Sequence, residues 1–362
     1  MYLIYLFYAY LFLMVLTSFF LVMLNFVKQK NENYKKGKYS PKVLVILPCK
    51  GYDLELENGI RSLLSQDYKN YDLISVVASK NDAALTSIKK LGLKYILSDN
   101  KRFARASGKV RSLATAFLAY REAYDVFVVV DSDTICAKNW LSSLISPLYD
   151  KNIGIVTTFP LFIPTKKTGF WAYVKTVWGF VGLGLMENKK TRFAWGGSMA
   201  FRSSFIDDLA LERFGRALSD DIALTRIAKE RNLDIAYIRY GLVRIPSNDG
   251  VRKFMEWSNR QTALMVLGNK KILNYGIYFY AMNIILLVSS IIIGTFYNAL
   301  IFLLLLPFAI GIIKSYKRSK ILDLRIAIAS LIINFIYILN LLNARSAKTI
   351  TWRGRTYKLE QN

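Results

Sequence analysis

The stretch "FVVVDSDT", Phe127–Thr134, decides the fold. Four apolar residues, three of them β-branched, run straight into Asp131 and Asp133. Such a run suits a strand buried on both faces. Two carboxylates at its end need a reason. Just past a strand, alternate residues point to the same side, so Asp131 and Asp133 fall together with Ser132 turned away. Like charges so placed repel unless a cation lies between them. A hard ion, Mg²⁺ or Mn²⁺, suits oxygen ligands and completes its shell with substrate phosphates. The plainer reading is turn chemistry, with the pair opening a loop or capping a helix near Lys138.

The surrounding segments extend the pattern. Strands are expected at Lys42–Pro48, Asp72–Ser79, Tyr95–Ser98 and Val126–Val130. Helical spacing covers Leu54–Gln66, Ala83–Leu91 and Lys109–Tyr124. Strands alternating with helices predict an α/β domain with a mostly parallel sheet. In such sheets ligands bind beyond the carboxyl ends of the strands, where Asp131 and Asp133 fall.

Composition narrows the chemistry. The 362 residues carry 50 Lys+Arg against 25 Asp+Glu, a net charge of +25. That excess suits a polyanion or an anionic membrane surface. With 53% hydrophobic residues in long runs, the membrane is the better partner, and no nucleic acid is expected. A membrane-tethered basic binding module is the non-enzymatic alternative. The absence of histidine removes His triads, His-ligated zinc and His bases. Cys49 and Cys136 stand too far apart in sequence to suggest a thiolate site or disulfide framework.

Residues 1–27 form an apolar segment without charge, read as a retained transmembrane helix. Lys28, Lys30, Lys35, Lys36, Lys38 and Lys42 follow it, which puts that side in the cytoplasm. Residues 42–246 form the cytosolic domain, and 247–271 an interfacial helix region. Residues 272–343 hold the C-terminal transmembrane segments, with a break at Gly294–Asn298 and the basic run "KSYKRSK" at Lys314–Lys320. The last segment, marred by Asp323 and Arg325, is re-entrant or interfacial if the basic tail, 344–362, is to stay inside.

Several stretches together resemble the family 2 glycosyltransferases, particularly the ceramide glucosyltransferase-like branch. "PCKGYDLELENGIRSLLSQDYKNYDLI" (Pro48–Ile74) is similar to its donor-domain opening, and "KNDAA" (Lys80–Ala84) to its first Asp motif. "GKVRSLATAF" (Gly108–Phe117) resembles a Gly-Lys-Val-Asn-Asn-Leu segment, with Arg111 and Ser112 in place of the Asn pair. "DSD" matches the second Asp motif, and "LSDDIALT" (Leu218–Thr225) the third. The tail "ITWRGRTYKL" (Ile350–Leu359) resembles the branch's C-terminal signature. "WSNRQ" (Trp257–Gln261) stands where many members carry Gln/Arg-x-x-Arg-Trp; Arg260 matches, while Trp257 and Gln261 depart. That departure argues against a processive polysaccharide synthase.

The resemblance implies a GT-A fold and transfer of a hexose, by default glucose from UDP-glucose, with inversion to a lipid hydroxyl. It puts Asp82 on the nucleotide base and Asp221 in the catalytic position. The residue chemistry agrees. A metal at Asp131 and Asp133, with Lys50 and Lys109 nearby, neutralises the leaving diphosphate. Without histidine, a carboxylate is the natural base, and Asp220 beside Asp221 raises its proton affinity. Ser219-Asp220-Asp221 is equally a good helix N-terminus, and Asp82 a helix cap. Trp195, Gly196 and Gly197 suit an acceptor site, since aromatic faces stack on sugars and glycines permit close approach; a strand bulge is the bland alternative. Trp257, Arg260 and Gln261 join them as acceptor-site candidates. The aromatic run Phe170–Leu185 reads either as membrane-surface or as core.

Overall fold

A computed structural model describes residues 2–26, 34, 39–51, 53–165, 168–239, 242–352 and 355–359. The lysines at 28, 30, 35, 36 and 38 lie outside the described residues, as do 353–354 and 360–362 of the tail. Two compact units emerge, one of residues 31–163 and 181–246, the other of 1–30, 164–180 and 247–362.

The first unit is built on a seven-stranded mixed sheet. Its strands are β1 (Val43–Cys49), β2 (Tyr71–Val77), β3 (Lys94–Leu97), β4 (Val126–Val130), β6 (Ile153–Thr157), β8 (Ser198–Arg202) and β9 (Asp234–Tyr237), with β5 (Ile135–Cys136), β7 (Leu161–Pro164) and β10 (Val243–Ser247) in a smaller sheet. The order is β3-β2-β1-β4-β8-β6-β9. The first four strands are parallel; β8 runs antiparallel to both β4 and β6. Strand β1 sits centrally, which is why it reads as a continuous apolar run instead of an alternating one.

The period of two still governs which face each residue serves. Val43, Val45 and Leu47 of β1, with Val126, Val128 and Val130 of β4, pack against helices α2 (Leu56–Leu64) and α5 (Trp140–Ile145). Leu44, Ile46, Phe127 and Val129 face the other layer, made by α4 (Gly108–Tyr120), α7 (Asp208–Phe214) and α8 (Asp220–Glu230). There Phe117 stacks on Phe127 at 5.1 Å and meets Phe201 edge-on at 5.5 Å. Helix α3 (Ala84–Lys90) completes the first layer. The four strands and three helices expected up to Val130 are all present within a few residues. The strands beyond Val130 had not been expected.

The second unit contains α1 (Tyr2–Phe26), part of α6 (Phe170–Glu187), α9 (Val251–Gly268), α10 (Lys271–Phe296), α11 (Leu306–Ser319, entered through a 3-10 turn at Ala299–Leu305) and α12 (Leu324–Ser346). Strands β11 (Thr349–Trp352) and β12 (Arg355–Lys358) pair as a hairpin. Among the described residues, four helical segments are long and apolar enough to cross a membrane: Tyr2–Phe26, Lys271–Phe296, Ala299–Ser319 and Leu324–Ser346. At about 1.5 Å per residue α1 is roughly 37 Å long, more than a hydrocarbon layer of about 30 Å. The break after Phe296 falls where Gly294–Asn298 had suggested it, and Asn298 caps the next turn through Leu300 N–H. Helix α12 is one unbroken helix, N-capped by Asp323.

Residues 172–180 of the aromatic run are buried, which favours its core reading. Trp178 Nε1 donates to Asn340 Oδ1 at 3.0 Å, and Asn340 Nδ2 donates to Asn259 Oδ1 at 2.7 Å and Ser258 Oγ at 3.1 Å. Lys175 pairs with Asp249 at 2.6 Å with both side chains buried, and its ammonium lies over the Trp257 ring. Burial works against the Asp249 charge, but Lys175 and the more exposed Lys253 hold its carboxyl below the usual carboxylate range. Removing one partner of a buried pair strands the other. Lys175→Met should therefore cost about 3 kcal/mol, the low end because Lys253 remains. The check is the melting temperature in detergent; no decrease contradicts the role given to the pair.

Candidate active site

The parallel strands β1, β2 and β4 end at one edge of the sheet, and the antiparallel β8 begins there. Topology thus gathers loops that are far apart in sequence. Lys50 follows β1 and is half-buried. Gly51 next to it takes a left-handed φ of +73°, which favours glycine. Asp82, after β2, accepts Gly51 N–H at 2.7 Å and Ala84 N–H at 3.1 Å through Oδ1. It ties two loops together and supports the start of α3, though it lies before the cap position itself.

At the end of β4 the chain enters a turn in which Asp131 and Asp133 are half-buried and Ser132 is buried. Ser132 Oγ lies 3.3 Å from Asp53 Oδ2. The turn is closed by Thr134, whose hydroxyl donates to Asp131 O at 2.6 Å, so the turn reading is also correct. Gly59 on α2 leaves room for this loop, because a Cβ there would approach Thr134 O to 2.9 Å.

Asp131 N–H donates to Gly197 O at 3.2 Å, which joins the Asp-Ser-Asp loop to the Gly-Gly turn. Gly196 and Gly197 form the turn entering β8, so the bulge alternative does not hold. Both glycines are required by space. A Cβ on Gly196 would lie 2.0 Å from Asp220 Oδ2 and 2.4 Å from Asp221 Oδ1. A Cβ on Gly197 would meet the Trp195 ring at 2.1 Å. Trp195 itself is half-buried and packs 5.6 Å from Phe159.

Ser219 caps α8 by accepting Ile222 N–H, as its sequence suggested, and the two aspartates occupy the first turn. Asp220 is buried and Asp221 half-buried. Gly196 N–H donates to Asp221 Oδ1 at 2.5 Å. Burial, reinforced by the Asp220 charge, lifts the Asp221 carboxyl well above the usual carboxylate range, against the opposing pull of Lys109 and the Gly196 bond. Lys109, in the first turn of α4, reaches Asp131 Oδ1 at 2.7 Å and Asp220 Oδ2 at 2.9 Å. Burial disfavours its charge, yet Asp131, Asp220 and Asp221 outweigh that and raise its pKa.

The structure therefore unites Lys109, Asp131, Asp221, Gly196 and Gly197 in one cluster, with Trp195 adjoining it in sequence and Asp133 on the same loop. Lys50 and Asp82 lie on neighbouring loops. Trp257, Arg260 and Gln261 belong to the other unit, on α9, where Trp257 meets Trp178 at 4.7 Å. Sequence reasoning gave Asp220 only a supporting charge and missed it as the second anchor of Lys109. The spacing of Asp220 from Lys109 carries no signal of that contact. Cys49 and Cys136 are both buried and form no disulfide.

Such a cluster of carboxylates, lysine and close-packed glycines at the carboxyl edge of a mostly parallel sheet lies where ligands bind in folds of this class. The chain matches glycosyl transferase family 21 over residues 10–362, and it belongs to that family. It is 29% identical over 150 residues to a ceramide glucosyltransferase from Komagataella phaffii, a match covering 39% of this chain and 29% of that relative's length. Its fold is similar to that of a mannosyltransferase from Pyrobaculum calidifontis in complex with GDP-Man and Mn²⁺, with a TM-score of 0.56 at 15% identity, covering 91% of this chain and 98% of that one. That likeness establishes a GT-A-like α/β fold. Glucosyl-3-phosphoglycerate synthase from Mycobacterium tuberculosis also matches, with a TM-score of 0.43 over 63% of this chain and 80% of its own.

Proposed function

We propose that this chain transfers a hexose, glucose from UDP-glucose in the default case, to the hydroxyl of a lipid at the cytoplasmic membrane face, with inversion. The observation that carries the reading is Asp221: a carboxyl of raised proton affinity, fixed by Gly196 N–H and adjoining a cation at the sheet's carboxyl edge. Asp221 takes the proton from the acceptor hydroxyl. The freed oxygen bonds to the anomeric carbon as that carbon's bond to the diphosphate breaks. Lys109, and Lys50 on the adjoining loop, offset charge on the departing phosphates.

Asp131 and Asp133 fit a divalent cation by their chemistry, since both offer half-exposed carboxylate oxygens on one loop. Among the described residues no third acidic, Cys or His side chain completes a ligand set, so substrate phosphates and water are needed as further ligands. When bound, the ion supplies charge for the leaving diphosphate. Asp133→Ala is expected to abolish metal-dependent donor binding, measured by calorimetry with and without EDTA; unchanged, EDTA-insensitive affinity removes the metal from the reading.

A cytoplasmic site is supported by the basic residues Lys317 and Arg318 in the last turn of α11 and the lysines following α1. The lipid acceptor is supported by the apolar helices and by the name of the Komagataella relative. The test is release of nucleoside diphosphate by detergent-purified protein given a panel of nucleotide-sugars, Mg²⁺ or Mn²⁺ and total lipid. Lipid-stimulated, EDTA-sensitive release from one donor is expected. No release with any donor and lipid overturns it in favour of a binding role.

A further inference from the structure

We infer that Lys109 is a displaceable internal cation that competes with the divalent metal for Asp131 until the donor diphosphate draws it away. The inference rests on the reading of Asp131 as a metal ligand. Three observations carry it. First, the Lys109 side chain is only 10% exposed, and it spans two carboxylates, Asp131 and Asp220. Second, nothing in its helix favours a cation there. Lys109 stands in the first turn of α4, whose N-terminal end carries partial positive charge and disfavours lysine. The two carboxylates are what offset that placement.

Third, the two anchors are unequal. Asp220 is 8% exposed, and its Oδ2 contact with Lys109 is electrostatic without hydrogen-bond alignment. Asp131 is 31% exposed and holds Lys109 by the shorter contact. An incoming ion therefore reaches Asp131, the carboxylate that Lys109 already uses. A doubly charged ion and an ammonium on one carboxylate repel each other. The metal consequently binds weakly while Lys109 stays. A diphosphate arriving with the sugar gives the ammonium a new anionic partner and frees Asp131. Metal and donor then bind with positive coupling, and by linkage the coupling is reciprocal.

Free-Mn²⁺ titration by electron paramagnetic resonance tests this on the full-length protein, with UDP and GDP as probes. Lys109→Gln should bind Mn²⁺ without nucleotide about tenfold more tightly than wild type, and the gain on adding nucleotide should shrink. Lys109→Arg, which keeps the charge, should stay near wild type. Equal nucleotide-free affinity in wild type and Lys109→Gln overturns the inference but not the proposed sugar transfer, which nucleoside diphosphate release by the wild-type protein tests separately. No Mn²⁺ binding by either protein overturns it together with the metal site. A check on wild type alone covers a Gln variant that does not fold. Mn²⁺ should speed reductive methylation of Lys109, and Mn²⁺ with UDP should suppress it. Labelling indifferent to Mn²⁺ contradicts the displacement.

Discussion

Asp221→Asn is expected to lower the turnover rate by about 10²–10⁴-fold, the usual contribution of a positioned base, with donor binding nearly intact. Asn keeps the Oδ1 acceptor for Gly196 N–H, so the loss reports the missing proton acceptor and not a displaced loop. The pH profile makes the same test in wild type. The Asp221 carboxyl is raised, first by burial and then by Asp220, so the folded chain binds its proton more tightly than the unfolded chain does. Its contribution to stability is full below the unfolded value and is lost as pH rises through the folded value. Activity runs the other way, because only the deprotonated carboxylate accepts a proton. The rate should climb through an acid limb lying above the ordinary carboxylate range. In Asp221→Asn that limb should vanish, and the melting temperature at neutral pH should equal or exceed wild type. Full activity in the variant removes Asp221 from the base role.

Gly196→Ala is expected to have the next largest effect. The added methyl would sit 2.0 Å from Asp220 Oδ2 and 2.4 Å from Asp221 Oδ1. Asp220 cannot yield without stretching its contact with Lys109, and Asp221 cannot yield without losing the Gly196 bond. A displacement of about 1 Å at the base corresponds to about 100-fold in rate. Overpacking should also cost about 1–3 kcal/mol of stability. Steady-state kinetics and thermal melting check both. An unchanged turnover rate would mean that the aspartate pair tolerates displacement and does not set the reacting geometry.

The first half of the α/β domain was legible because local signals sufficed. Strands β1 and β4 are buried on both faces and bounded by charge or turns, and α2 and α4 show helical spacing. Beyond Val130 the signals fail for a physical reason. Runs such as Ile153–Thr157 are short and wholly buried, so their periodicity does not separate strand from helix. Strand β8 pairs with β4 across a long stretch of chain, and nothing local fixes that register.

The candidate site divides in the same way. Asp131, Asp133, Lys109 and Asp221 were visible as residue types in telling places. The union of Asp131, Lys109 and Asp221 depends on the sheet order, which brings the β4 loop, the turn before β8 and the start of α8 together. The cap by Ser219 and the base at Asp221 were competing readings of one tripeptide, and the structure shows the cap without displacing the carboxyl from the cluster. The double grip of Lys109 belongs only to the folded chain.

The anomeric configuration of the first product tests the central claim most directly. A base that deprotonates the acceptor for a single displacement must invert the reacting carbon. Proton nuclear magnetic resonance of the purified glycolipid, made from an α-linked nucleotide-sugar, should show only the large anomeric coupling of a β-glucoside. An α-linked product would contradict a single displacement assisted by Asp221.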